Sequence, residues 1–87
     1  MNKYQKKFLF YLEWFFRNYG NTWKITDFPN EIVKNINKIS PLFKELENNG
    51  IIKLSKDELS LTILKLPSSF YGVDFFVNSK KRNEKFS

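Results

Sequence analysis

The chain of 87 residues carries 15 Lys and Arg against 9 Asp and Glu, a formal charge of +6 and an isoelectric point near 9.6, a balance that suits a polyanionic partner. With neither cysteine nor histidine, it has no disulfide framework, no thiolate or imidazole ligand for zinc, and no imidazole base. A length of this order gives one small domain, and an aromatic content of 18% enlarges the side chains available to its core.

Residues 3–19 read as one long amphipathic helix. Tyr4, Phe8, Tyr11, Leu12, Phe15, Phe16 and Tyr19 fall on one broad face, with Lys6, Glu13 and Arg17 opposite and Gly20 as the stop. Phe10 and Trp14 stand four residues apart on the flank of the polar side. Two readings of that pair stay open: cover by the aromatic segment Phe70, Tyr71, Phe75 and Phe76, or a dimer interface through this helix. The opening has the basic start and apolar run of a signal peptide. Glu13 and Arg17 interrupt it, however, and no small-residue cleavage site follows. With no apolar run of roughly 18 residues, the expectation is a cytoplasmic protein that does not enter a membrane.

"TWKIT", residues 22–26, is a short β-prone run, and "DFPNEIVKNI" restarts a helix with Pro29 at its first turn and Phe28 held extended. Ile32, Val33 and Ile36 make its inner face, and Asn35 to Lys38 a polar turn. Ser40 then suits an N-cap and Pro41 the first helical position. Ile39, Leu42, Phe43 and Leu46 share a side, and Gly50 ends the helix. "IIKLS" and "LSLTILKL" read as two strands around "KDE", with Ile52, Leu54, Leu59, Leu61 and Ile63 inward and a strand end or bulge at Ile63-Leu64. Pro67 closes the element. The segment "SSFYGVDFFV" is ambiguous, and 78–87 reads as a loose basic tail. One domain over 1–77 is expected, with its core in 3–66 and an aromatic segment at 67–77.

This order of elements, and above all "SPLFKELENNGIIKLS", resembles the winged helix-turn-helix superfamily, in which a Leu-rich recognition helix ends on Gly before an apolar strand. The resemblance covers roughly residues 3–66. It implies an α+β fold of three helices with a two- to three-stranded antiparallel β-hairpin wing, the first helix being long and aromatic. It also implies that Ser40, Pro41, Lys44 and Asn48, approached by Asn37 and Lys38, face the major groove of double-stranded DNA. Lys53, Lys56 and Lys65 on or near the hairpin would meet phosphates, ammonium groups neutralising charge and Asn pairing with base edges. A dimeric transcriptional regulator joined through the N-terminal helix is the function that follows; small size and a lone-domain architecture alone suggest a virus, plasmid or mobile element as its source.

Two other classes compete. Glu45 and Glu47 on the same helix, and Asp57-Glu58 at the wing tip, would repel phosphates and suit a protein-interaction adapter. Tyr11, Trp23 and Tyr71 could stack on unpaired bases, which would make a replication-linked single-strand binder. Polar turn chemistry accounts equally well for Asn37 and Asn48, and a solubilising role for the lysines and for "KKRNEK", 80–85. The acids are scattered and no Gly-rich phosphate loop exists, so no catalytic residue and no cofactor is predicted.

Overall fold

The first helix, α1, spans Lys3–Asn18 and opens on a capping box. The Asn2 side chain accepts from the Gln5 N–H at 2.8 Å, and the Gln5 side chain accepts from the Asn2 N–H at 3.1 Å, so two orphan donors are satisfied reciprocally. This computed structural model describes residues 1–72. Phe8, Leu9 and Leu12 are fully buried, and Tyr4, Tyr11, Phe15 and Phe16 pack against the core. Tyr19, expected on the inner face, is 70% exposed: its backbone leaves the helix at φ −130°, ψ −29°, so the helical period no longer aims it. Glu13, expected opposite the core, is fully buried.

β1 follows at Thr22–Lys24, then a 3-10 turn over Ile25–Asp27 whose Asp27 carboxylate accepts from the Lys24 N–H at 2.8 Å. Phe28 is extended at φ −76°, ψ 158°, as a residue before proline should be. α2 spans Asn30–Lys34, α3 Ile36–Ile39 and α4 Pro41–Asn48. The polar turn expected at 35–38 is a break at Asn35 alone, φ −108°, ψ 20°, followed by a helical turn. Ser40 is not the expected N-cap. It is right-handed helical at φ −56°, ψ −31°, makes no capping bond, and donates its N–H to the Ile36 carbonyl at 2.8 Å. α3 therefore runs into α4 with Pro41 at the joint, where the missing N–H removes one bond of the ladder.

α4 ends as its sequence requires. Gly50 takes φ +70°, its N–H donates to the Glu47 carbonyl at 3.0 Å, and the Ile51 N–H donates to the Leu46 carbonyl at 2.9 Å. These two bonds and the contact of Leu46 with Ile51, both fully buried, form a Schellman motif. A Cβ at Gly50 would meet nothing closer than the Lys65 side chain at 4.0 Å, so backbone conformation alone selects glycine.

The turn delivers the chain to β2, Ile52–Leu54, which pairs antiparallel with β3, Ser60–Ile63. β3 pairs in turn with β1, giving the sheet order β1-β3-β2 with Trp23 and Leu54 both opposite Leu61. Ile52, Leu61 and Ile63 are buried as their alternation demands, but Leu59 is 65% exposed. Pairing with β2 stops at Leu54. Beyond it the loop turns through Glu58 at φ +59°, and Asp57 accepts from Ser55 Oγ at 2.6 Å and from the Leu59 N–H at 3.0 Å. Leu59 stands just before the first residue of β3, so the strand's two-residue period does not aim its side chain at the core.

α5, Pro67–Tyr71, resolves the start of the ambiguous segment as a helix; residues 73–77 and the basic tail lie outside the described residues. The architecture is thus α+β, with five α-helices among the described residues, rather than three, against a three-stranded antiparallel sheet. The N-cap of α5, Leu66, offers no side-chain acceptor. Glu13 supplies one instead, accepting from the Ser68 N–H at 3.0 Å, from Ser68 Oγ at 2.8 Å and from Arg17 Nε at 2.7 Å. A buried carboxylate so partnered holds α5 against α1. Glu13→Ala is expected to lower unfolding free energy by roughly 2 kcal/mol, because hydrogen bonds to a charged group are lost and their donors left unpaired. Urea denaturation measures this, and Glu13→Gln, which keeps one acceptor, should lose less.

Candidate nucleic-acid interface

α3 and α4 present one continuous outer stripe. Leu42, Phe43 and Leu46 face the core, which leaves Asn37, Lys38, Ser40, Pro41, Lys44 and Asn48 exposed along the opposite side. These are the six residues that the sequence offered for this face, and all six are exposed. Lys53 is exposed on β2, Lys56 in the β2–β3 loop, and Lys65 just beyond β3, where its Nζ lies 5.9 Å from the Phe70 ring centre. Trp14 is 40% exposed and Phe10 half-buried. Their rings meet edge-on at 5.4 Å on α1.

The carboxylates of α4 are turned aside from that stripe. Glu47 accepts from the Leu54 N–H at 3.2 Å, covering an outer-edge donor of β2 and fixing α4 beside the hairpin. Glu45 accepts from the Tyr71 hydroxyl at 3.2 Å, joining α4 to α5. Elsewhere Glu13, Asp27 and Asp57 serve backbone or hydroxyl donors as described, and Glu31 pairs with Lys7 at 2.6 Å. Lys7's hydrogen bond, reinforced by the charges of Lys7, Lys3 and Lys34, holds the Glu31 carboxyl below its ordinary range. Ten lysines lie among residues 1–72 and only Lys7 is in an ion pair. Most acids among the described residues are engaged by partners within the fold, whereas every lysine there but Lys7 is exposed.

A contact with no simple periodic signal bolts α1 to this stripe. Asn2 Nδ2 and Gln5 Nε2 both donate to the Lys38 carbonyl, at 3.0 and 3.2 Å. Above it, Lys3 Nζ and Lys38 Nζ lie 5.1 and 5.0 Å from the centre of the Tyr4 ring, within cation–π range. The Asn-x-x-Gln spacing is a signal that could have announced the capping box, which the sequence reading did not include; its second use, on Lys38, has no such signal. The aromatic residues considered for base stacking have internal roles. The Trp23 indole donates to the Gly20 carbonyl at 2.9 Å and stacks on Phe15 at 4.3 Å, Tyr11 lies 6.1 Å from Phe15, and Tyr71 is bonded to Glu45.

Among the described residues no helix is long and apolar enough to cross a membrane, and no group of three or more His, Cys, Asp or Glu gathers as a metal site requires.

Tyr71 reports on the placement of Glu45. Burial first, then the Glu45 charge and hydrogen bond, push its hydroxyl up from 10.0 to about 12. A raised folded value means that the stabilisation from this proton is complete below the unfolded pKa and disappears as pH climbs from 10 toward 12. Tyrosinate absorbance should therefore show one late-titrating tyrosine in the folded protein, and Glu45→Gln should bring its titration to lower pH without restoring it fully.

Compared with family models, with curated proteins and with solved structures, the chain matches none of them.

Proposed function

We propose that the protein is a small winged-helix protein that binds duplex DNA, a cytoplasmic transcriptional regulator of the kind that viruses, plasmids and mobile elements carry. The observation that carries this reading is the separation of charge along α3 and α4. Glu45 and Glu47 are drawn to Tyr71 and to β2, while Lys38 and Lys44 stand on the outer stripe with no ion-pair partner among the described residues. An exposed helix of this polarity, followed through a tight glycine turn by a two-stranded hairpin in a β1-β3-β2 sheet, supports a recognition helix beside a wing. Lys38 and Lys44 would neutralise phosphates, with Lys53 and Lys56 reaching the backbone from the hairpin. Asn37 and Asn48 carry the amides suited to base edges.

A homodimer through the outer face of α1 belongs to the same reading, since twofold operators pair recognition helices about one helical turn apart. Trp14 stands on that face.

The test is fluorescence anisotropy with duplex DNA over a salt series. Affinity should fall steeply with salt, and Lys38→Ala/Lys44→Ala should flatten the slope by about two phosphate contacts while weakening all sequences alike. Absence of duplex binding at low salt would leave the adapter reading in possession, with Trp14→Ala the next variant.

A further inference from the structure

A second cluster of charge lies at the start of α1, beside the α3 end of the stripe. Tyr4, Asn30, Glu31, Lys34 and Asn35 line a shallow hollow of about 440 Å³ between α1 and α2. Its single carboxylate, Glu31, is held by Lys7 at 2.6 Å. Lys3 and Lys34 are close enough to act on Glu31 by charge alone, and neither is in an ion pair. The rim nearest α3 is the Tyr4 ring, on which Lys3 and Lys38 both lean. The hollow is therefore electropositive after its own acid is neutralised, and its lining is polar throughout except for one aromatic ring.

We propose that this hollow is a phosphodiester seat, gripping the DNA backbone beside the groove that α4 enters, with Lys3 and Lys34 as the phosphate contacts and the Asn30 and Asn35 amides beside them. The proposal rests on the duplex-DNA reading and extends it. Three features favour a DNA strand over a free small anion. The hollow is shallow and open along one side rather than enclosed. It is continuous with the α3–α4 stripe at the Tyr4 ring, which lines the hollow and on which Lys38 of the stripe leans. That continuity is rigid, because the Asn2 and Gln5 side chains fix the Lys38 carbonyl to the first turn of α1. Lys3, one of the two contacts, is also partly ordered on the Tyr4 ring before binding, which lowers the entropy lost when it engages a phosphate.

The test uses the full chain and a fluorescent duplex in a salt series, with wild type, Lys3→Ala/Lys34→Ala and Lys44→Ala compared. Both lysines of the pair are exposed, and circular dichroism confirms that the variants keep the fold. The pair variant should flatten the slope of log affinity against log salt by about 0.9 for each lost contact, equally for unrelated sequences. If Lys44→Ala flattens the slope and the pair variant leaves it unchanged, the seat is overturned and the duplex reading stands. If wild type shows no salt-dependent duplex binding, the duplex reading itself falls and the seat with it.

Discussion

Five aromatic rings run through the interior in contact, and the placement of every other element follows from them. Trp23 of β1 stacks on Phe15 at 4.3 Å, Phe15 meets Phe28 at 4.9 Å, Phe28 stacks on Phe8 at 5.1 Å, and Phe8 meets Phe43 of α4 at 5.3 Å. The run begins in the sheet and ends on the helix that carries the exposed stripe. Each contact contributes on the order of 1 kcal/mol beyond the area it buries. That matters in a domain whose length alone supports only a small core. Phe8 and Phe15 sit two turns apart on α1, so this one helix aligns both halves of the run, and the richness in phenylalanine has a mechanical purpose.

The polar interactions complete what the rings begin. Ile51 gathers the Schellman turn on its N–H and the strand end on its carbonyl, which accepts from Leu64 at 2.7 Å, so α4 and the hairpin share one fixed corner. Glu47 fastens the same corner from the side. Glu13, on the far face of α1, captures the first turn of α5 and so brings Tyr71 to Glu45. Glu13, Glu45 and Glu47 act here as fasteners between elements, while Lys38 and Lys44 have no ion-pair partner among the described residues. That division gives a net basic face without requiring any single strongly basic segment.

Local pattern made much of this legible. The long first helix, the proline-led helix at 41, the glycine stop and the two apolar strands each follow from neighbours within a few residues, and the exposed stripe follows from the same periodicity. What escaped depends on distant partners. Glu13 lies one turn from Leu9 and could have been read as flanking the core, but its burial needs Ser68, 55 residues away. Ser40 has the chemistry of a cap, yet the packing of Ile36 and Ile39 carries the helix through it. Leu59 keeps the period of β3 but lies just before the strand begins. The hollow at the start of α1 is assembled from separate segments, α1 and the α2 region, and no spacing within either announces it.

The most direct test of a DNA-facing helix is amide NMR of the protein titrated with duplex DNA. Shifts concentrated on residues 37–48 and on the hairpin, with the outer face of α1 around Trp14 unaffected by duplex contact, are the expected result. Shifts centred on Phe10 and Trp14 with residues 37–48 silent would contradict it.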